Sequence, residues 1–207
     1  MKLKDRVYLY LEELITSGKL KSGDPIIESA VAESLNVSRT PVREALNELE
    51  SDGFVISYPK KGTFVRQITT KDIENIYDVR SSLELLALEK SFDSIESKVL
   101  LNFKKDYKNL EENFTWEMAR KLDVDFHNYI IKTANNQTLS ETLVRLNKQV
   151  GRYRTMASMD PDRSDKTISE HMKIIDAIID NDKNMALEML KNHLDSVKTS
   201  AIEASLL

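Results

Sequence analysis

The spacing of hydrophobic residues predicts three short helices at the start of the chain. Apolar residues recur with a helical period over residues 4–17, and Gly18 follows as a suitable C-cap. The same period predicts helices over residues 28–35 and 41–51, and Gly53 follows the last of them. The second and third helices lie close together in the chain, which is typical of a helix-turn-helix.

Two strands and a tight turn follow the third helix. The strands are predicted over residues 54–57 and 63–66, and the turn between them contains Lys60 and Lys61. Three helices followed by a β-hairpin form a winged helix-turn-helix. We therefore expect this fold over residues 1–68.

The rest of the chain predicts long helices. After residue 62 the chain contains only one glycine, Gly151, and one proline, Pro161. The first 62 residues contain four glycines and three prolines. Six helices are predicted there, over residues 70–91, 94–112, 115–134, 138–157, 166–181 and 183–203. We therefore expect a mainly α chain, with an all-α helical bundle over residues 69–207 behind the N-terminal winged helix-turn-helix.

Composition excludes several classes of protein. The 207 residues suffice for two domains with separate cores. The absence of cysteine excludes disulfides and thiolate metal sites. No apolar run approaches the roughly 18 residues that span a bilayer, and the first residues lack the apolar core of a signal peptide. We therefore expect a cytoplasmic protein without a membrane partner.

The start of the third predicted helix carries groups that bind nucleic acid. Thr40 is predicted as the N-cap and Pro41 as the first helical residue, with Arg39 and Arg43 on either side. Free amides, the positive end of the helix dipole and two guanidinium groups suit phosphates and the acceptor edge of guanine. A solvated pair of arginines is the alternative, and the basic turn of the hairpin favours DNA binding. The net charge of −4 does not oppose this, because the acidic excess lies outside residues 1–66.

Four segments of this region resemble GntR-type bacterial transcription regulators. They are GDPIIE at 23–28, LNVSRTPVREAL at 35–46, DGF at 52–54 and KGTFV at 61–65. The resemblance implies six DNA-contacting residues, which are Arg39 and Arg43 for bases, Ser38 and Thr40 for phosphates, and Lys61 and Gly62 for the minor groove. Ser29 stands where some relatives carry a DNA-contacting arginine, so the operator sequence of a relative cannot be transferred to this chain.

The three histidines of the chain form a second informative pattern. His127 follows Asp123 by four residues, so both lie on one face of a predicted helix. His171 and His193 each fall on an apolar helical stripe, so we expect all three imidazoles to face a core. A buried imidazole needs a partner, because an unsatisfied polar group costs about 1–3 kcal/mol. Spacing leaves two interpretations open: core histidines bonded to carbonyl groups, or one divalent metal ion bound by all four residues.

The helical part of the chain resembles the FCD domain of the FadR-type branch of GntR regulators, in a short form similar to the VanR-like subgroup. The resemblance extends from Thr70 to about Ser200. Its motifs are Val79-Arg80, Leu83-Glu84, Asp123 to His127, Asn136 with Leu139, Glu170-His171 with Ile175, and His193-Leu194. In metal-binding members these motifs supply one aspartate and three histidines to a divalent cation. The resemblance therefore implies a metal site formed by Asp123, His127, His171 and His193.

The resemblance also implies a small carboxylate that binds at the metal beside a cationic side chain. Arg80 is the first candidate for this effector-binding role, and Arg152 and Arg154 are weaker candidates. We expect Arg80 to lie on a helix otherwise lined by an apolar stripe. The stripe consists of Ile76, Val79, Leu83 and Leu86. Tyr129 and Tyr153 are expected either to shape the pocket or to pack in the core.

These expectations describe a transcription regulator rather than an enzyme. We expect a homodimer that represses by binding a palindromic operator and that leaves DNA when the carboxylate binds. Zinc is the expected metal, with nickel, manganese and iron as alternatives. Two other functions stay open: a metalloenzyme of hydrolase type, in which Glu170 would be the base, and a regulator with a purely structural metal.

Overall fold

The computed structural model describes the backbone of residues 1–157 and 161–205, and the side chains of residues 1–150 and 163–205. The chain forms two compact units. The first comprises Met1–Thr69 with Asn147–Thr155, and the second comprises Thr70–Leu146 with Met156–Leu207. No helix in the described part of the chain is long and apolar enough to cross a membrane.

Three helices and a small sheet form the first 69 residues. They are α1 (Leu3–Thr16), β1 (Pro25–Ile26), α2 (Glu28–Leu35), α3 (Arg39–Ser51), β2 (Val55–Tyr58) and β3 (Gly62–Val65). The sheet is antiparallel in the order β1-β3-β2, and Val55 lies opposite Val65. This is the predicted winged helix-turn-helix with β1 added. Hydrophobic spacing did not predict β1, because two residues are too few to show a period.

A small hydrophobic core lies between α1, α3 and the sheet. Its fully buried members include Val7 and Leu11 of α1, Val42 and Leu49 of α3, and Phe54 before β2. These residues follow the helical period of α1 and α3, so each helix turns one apolar face inward. The opposite face of α3 is therefore free to carry polar and charged side chains.

The start of α3 differs from the prediction. Ser38, with extended backbone, is the N-cap, and Arg39 is the first helical residue. Thr40 is therefore inside the first turn, and its prediction as the N-cap is wrong. Pro41 is the third helical residue rather than the first. It is tolerated there because the first four amides of a helix have no acceptor within the helix, so its missing N–H removes no helical hydrogen bond.

A left-handed residue makes the sharp turn between α2 and α3. Asn36 has a φ of 52°, and the amide of Val37 donates to the carbonyl of Ala32 at 2.9 Å. Asparagine adopts this conformation more readily than most residues with a side chain. The turn ends α2 at Leu35 and lets α3 begin four residues later.

Within the described residues, the chain after Thr69 forms six α-helices and a short 3-10 helix. They are α4 (Thr70–Ser91), the 3-10 helix (Phe92–Ser94), α5 (Ser97–Glu112), α6 (Trp116–Thr133), α7 (Gln137–Ala157), α8 (Pro161–Ile179) and α9 (Lys183–Ala204). One of these helices, α7, contributes to both units. The six predicted helices agree with the observed ones to within three residues at each end, except that α8 begins five residues earlier than predicted. Its first residue is Pro161, a residue type that suits the first position of a helix.

The helices of the second unit enclose one core. α9 packs against α4 and α8, α6 packs against α4 and α5, and α5 packs against α8. Aromatic and aliphatic side chains of all six helices meet in this core. Its fully buried members include Leu88, Leu100, Phe126, Leu143, Ile175 and Leu190.

α4 faces this core with a side that carries both apolar and charged residues. Its buried residues include Ile73, Tyr77, Arg80, Glu84 and Leu88. Arg80 and Glu84 are thus buried together inside the bundle. Two members of the apolar stripe are exposed, because Val79 is 49% exposed and Leu86 is 36% exposed. Leu83, by contrast, is partly buried against the core.

Candidate functional site

The structure brings together the four candidate metal ligands. Asp123 and His127 lie on α6, His171 lies on α8 and His193 lies on α9. One ligand atom from each residue lies within 4.8 Å of the other three, and all three histidines are buried. The Nε2 atom of His171 lies 3.3 Å from Nε2 of His127 and 3.2 Å from Nε2 of His193. A tetrahedral ion with metal–nitrogen bonds of about 2.0–2.1 Å would hold its ligand atoms about 3.3–3.4 Å apart.

Two of the imidazoles are oriented by glutamates, of which Glu84 is buried and Glu170 is partly buried. Nδ1 of His127 lies 2.6 Å from Oε2 of Glu84, and Nδ1 of His193 lies 2.8 Å from Oε2 of Glu170. An ionised carboxylate only accepts hydrogen bonds, so Nδ1 must carry the proton in each ring. Nε2 then presents a lone pair toward the common centre. Carboxylate–histidine pairs of this kind are the usual outer shell of a metal site.

The third imidazole has a phenol as its partner. The hydroxyl of Tyr107, on α5, lies 2.7 Å from Nδ1 of His171. This contact aims Nε2 of His171 at the same centre as the other two rings. The carboxylate of Asp123 completes the set, because its Oδ1 lies 3.7 Å from Nε2 of both His127 and His171.

The pKa values of His193 and Glu84 fit a metal site. Burial lowers the pKa of His193 to about 4, although the contact with Glu170 acts in the opposite direction. The ring is therefore neutral at pH 7, as a metal ligand must be. Burial alone would raise the pKa of Glu84, but Arg80 and His127 outweigh burial and hold it below the ordinary range. Glu84 is therefore ionised and accepts a hydrogen bond from the Nδ1–H group of His127.

Glu170 is held by an arginine as well as by His193. Nη1 of Arg163 donates to Oε1 of Glu170 at 3.2 Å, and Nη2 donates to Oε2 at 3.0 Å. Burial alone would raise the pKa of Glu170, but the hydrogen bonds from His193 and Arg163 lower it to about 2. Both oxygens are already engaged, and such a weakly basic carboxylate is poorly matched to proton abstraction near pH 7. This removes the base that the hydrolase alternative requires.

Arg80 is buried next to this centre, with part of its guanidinium group unpaired. Its Nε donates to Oε1 of Glu84 at 2.6 Å, whereas Nη1 and Nη2 have no hydrogen-bond partner among the described residues. Burial alone would lower the pKa of Arg80, but the negative charges of Glu84 and Asp123 raise it. A buried cation with two unpaired donors is costly unless an anion binds it.

The other candidates for effector binding divide into two groups. The side chains of Arg152, Tyr153 and Arg154 lie outside the described residues. The hydroxyl of Tyr129 accepts a hydrogen bond from the backbone amide of Glu96 at 2.9 Å. Because Glu96 is the N-cap of α5, Tyr129 has a structural role at the start of that helix.

The six candidate DNA contacts are all exposed on the first unit. Four of them, Ser38, Arg39, Thr40 and Arg43, lie at the start of α3, and Lys61 and Gly62 lie at the turn between β2 and β3. Gly62 has a φ of 102°, which a residue with a side chain rarely adopts. The chain therefore bends back sharply into β3 and leaves Lys61 at the tip of the hairpin.

The outer shell of the candidate metal centre was not predicted from the sequence. Its missed members are Glu84, Tyr107, Arg163 and Glu170, with Glu170 considered only as a base. One signal was present, since Arg80 and Glu84 are four residues apart on a helix. Tyr107 gave no comparable signal, because its contact with His171 depends on packing between helices. Arg163 gave none either, because Glu170 lies two full turns away along α8.

Two family descriptions match the chain. "Bacterial regulatory proteins, gntR family" matches residues 3–65, and "FCD domain" matches residues 75–196. The "Probable D-xylose utilization operon transcriptional repressor" of Paenarthrobacter nicotinovorans is 31% identical, over 87% of this chain and 80% of that protein. The gluconate operon transcriptional repressor of Bacillus licheniformis is 28% identical, over 93% of this chain and 82% of that protein.

Solved structures share the same fold. E. coli McbR/YncC superposes with a TM-score of 0.75 at 22% identity and covers 94% of both chains. The Zn2+-bound FCD domain of TM0439 superposes with a TM-score of 0.55 at 25% identity. That similarity covers 66% of this chain and 95% of the other.

Proposed function

Because the chain belongs to the GntR family of bacterial regulatory proteins and contains an FCD domain, we propose that it represses transcription from a palindromic operator and leaves DNA when a small carboxylate binds at its metal site. Its relatives are transcription regulators rather than enzymes. One observation carries the proposal: three imidazole nitrogens and one carboxylate converge, and Glu84, which holds one of these imidazoles, also holds Arg80, whose terminal nitrogens have no hydrogen-bond partner among the described residues.

Zinc is the metal that we propose for Asp123, His127, His171 and His193. Three neutral nitrogens and one carboxylate oxygen are a ligand set that zinc accepts, and the spacing of the Nε2 atoms suits a tetrahedral ion. A related FCD domain has been solved with Zn2+ bound. Bound zinc would supply a Lewis acid that holds a carboxylate oxygen. Nickel, manganese and iron are the competing metals, and direct metal analysis distinguishes them.

Arg80 is the residue that we propose for the carboxylate of the effector. Its Nε is fixed by Glu84, so the guanidinium plane is oriented before any ligand arrives. The two terminal nitrogens can then donate in parallel to one carboxylate, as arginine does in bidentate pairs. Binding would satisfy two buried donors that have no hydrogen-bond partner among the described residues.

The start of α3 and the hairpin tip are the proposed DNA contacts. Arg39 and Arg43 would read bases, Ser38 and Thr40 would bind phosphates, and the hairpin tip at Lys61 and Gly62 would enter the minor groove. The first four free amides of α3 and its positive dipole end favour a phosphate at this position. All six residues are exposed, as such contacts require.

We propose that two copies of the chain form a homodimer by packing the apolar stripes of their α4 helices together. Ile76, Val79, Leu83 and Leu86 are spaced by three and four residues, which is the spacing of a helix–helix seam. Two of them are large apolar residues with substantial exposure. We propose that the same stripe of a second copy covers them, since a two-fold dimer matches a palindromic operator.

A DNA-binding titration with defined ligands tests the proposal. A duplex selected from random sequences by the wild-type protein is titrated with metal-free protein, zinc-loaded protein, and zinc-loaded protein with acetate, succinate or gluconate. Gluconate is included because a relative is named for a gluconate operon. We expect at least one acid to weaken DNA binding about fivefold or more, within the usual range of allosteric coupling.

Calorimetry on the same samples shows which acids occupy the zinc-loaded protein. An acid that fills the site and leaves DNA affinity unchanged would contradict the proposed regulation. If zinc stabilises the helical unit and no acid binds, the metal is purely structural. If zinc does not bind, the metal site itself is refuted.

A further inference from the structure

Arg163 lies behind the candidate metal centre and is joined to it through one carboxylate. Both of its terminal nitrogens donate to Glu170, at 3.2 and 3.0 Å, and Oε2 of Glu170 accepts from Nδ1 of His193 at 2.8 Å. Arg163 is 7% exposed and His193 is fully buried. Water therefore competes little for these hydrogen bonds. An arginine–glutamate–histidine chain thus ends at a candidate zinc ligand.

The position of Arg163 in α8 has no explanation in helix stability. It is the third residue of the helix, where the helix dipole disfavours a positive charge. Glu170 follows seven residues later, two turns along the same face. The bidentate contact with Glu170 accounts for a cation at this unfavourable position.

Arg163 and Arg80 use their guanidinium groups differently. Arg80 contacts Glu84 through Nε alone and keeps both terminal nitrogens unpaired among the described residues. Arg163 uses both terminal nitrogens on Glu170. A bidentate contact fixes the plane of a carboxylate as well as its distance. The two arginines are therefore equipped for different tasks, one for an incoming anion and one for a resident side chain.

We propose that Arg163 is a positioning residue that sets zinc affinity by holding Glu170 in place on His193. This rests on the proposed function, because it requires zinc at the four ligands. The side chain of Glu170 is 21% exposed, so without Arg163 the carboxylate can rotate toward water. Nδ1 of His193 would then lose its fixed acceptor, and the ring would lose the orientation that aims Nε2 at the metal.

Zinc competition with a chromophoric chelator tests the inference on the full chain. We expect Arg163→Met to bind zinc about 10–100-fold more weakly than the wild type, the usual effect of losing an outer-shell partner. Arg120→Met is the matched control, because Arg120 is exposed on α6 and its loss removes the same charge. We expect the control to bind zinc like the wild type. Equal affinity of Arg163→Met and the wild type would overturn the inference.

A double-variant cycle separates positioning from a general loss of structure. If Arg163 acts through Glu170, the variant carrying both Arg163→Met and Glu170→Gln should bind zinc about as tightly as Glu170→Gln alone. Additive losses would contradict the inference. If Arg163→Met does not fold, Arg163→Lys replaces it, because lysine keeps the positive charge but cannot donate two parallel hydrogen bonds to Glu170. Wild-type affinity in Arg163→Lys would overturn the inference.

The wild type distinguishes this inference from the proposed function. Failure of the wild type to bind zinc would defeat the proposed metal site and the inference together. Zinc binding by the wild type with unchanged affinity in Arg163→Met would defeat only the inference. Once saturated with zinc, Arg163→Met should still be released from DNA by the acid that releases the wild type. Loss of that response at full zinc occupancy would contradict the separate tasks of Arg163 and Arg80.

Discussion

Nε of Arg43 donates to Oε2 of Glu28 at 2.8 Å, so the first residue of α2 holds a side chain of α3. Arg43 is 64% exposed, and an exposed ion pair contributes little to stability, typically about 0–1 kcal/mol. Its consequence lies in orientation. With Nε fixed, the two terminal nitrogens of Arg43 would be available to a base edge in the proposed DNA complex, in the parallel arrangement that matches O6 and N7 of guanine.

Removal of Arg43 should change both the affinity and the base preference of DNA binding. We expect Arg43→Ala to cost about 1–3 kcal/mol on the selected duplex and to relax the preference at one position of each half-site. Lys61→Ala should instead weaken all duplexes about equally, because a backbone or minor-groove lysine contributes little base discrimination. Titration of the duplex and its single-base variants measures both effects. A uniform loss with Arg43→Ala would contradict base reading by Arg43.

Glu28 should matter for specificity more than for stability. Glu28→Asp keeps an acidic residue in the first turn of α2 but shortens the side chain by one methylene, so it should not hold Arg43. We expect an unchanged melting temperature and a several-fold smaller discrimination at the position that Arg43 reads. Thermal melting and the same single-base duplexes provide the two readouts. Full discrimination in Glu28→Asp would show that Arg43 needs no support.

Loss of one metal-binding side chain should remove most of the stabilisation by zinc. An ion present at 100 times its dissociation constant stabilises the fold that binds it by about 2.7 kcal/mol, and we expect His193→Ala to lose most of this effect. Asp125→Asn is the control, because Asp125 is exposed on α6 two residues before His127 and pairs with Lys121. Melting with and without zinc measures the difference. Equal stabilisation of both variants by zinc would show that zinc binds at a different site.

Arg80→Lys should separate effector binding from metal binding. Lysine keeps a positive charge near Glu84 but replaces the planar guanidinium with a single ammonium group. We expect at least a tenfold loss in affinity for the releasing acid, which corresponds to about 1.4 kcal/mol. Zinc affinity should change by less than that factor. Calorimetry with the acid and chelator competition with zinc measure the two quantities, and unchanged acid affinity would exclude Arg80 as the anchor.

The metal ligands could be proposed from sequence because each has a local signal and the resemblance to the FCD domain joins them into one site. Asp123 and His127 are four residues apart on one helix, and His171 and His193 fall on apolar stripes. The contacts of the outer shell with these histidines depend on packing between helices. Glu84 is 43 residues from His127, and Tyr107 is 64 residues from His171. No helical period relates residues at such distances, so only the assembled bundle shows these contacts.

The error at the start of α3 also has a physical cause. Proline is favoured at the first helical position, but no position of the first turn requires an N–H donor, so Pro41 did not fix the start of α3. On α4, the inner face carries Arg80 and Glu84 as a buried ion pair, so hydrophobic spacing alone did not mark these two residues as buried. Paired charges can occupy a core, and apolar residues can occupy a surface, where another chain can cover them.

The exposed part of the α4 stripe should hold the dimer together. We expect the double substitution Val79→Asp and Leu86→Asp to convert the dimer to a monomer, because each copy would bury two carboxylates against those of its partner. Sedimentation at a fixed protein concentration measures the oligomeric state, and the selected duplex reports the accompanying loss of DNA affinity. Leu101→Asp is the control, since Leu101 is 56% exposed on α5 and lies off the stripe. A dimer that survives the double substitution but is lost with Leu101→Asp would show that the interface lies on α5. Dimer formation would then not explain the exposure of Val79 and Leu86.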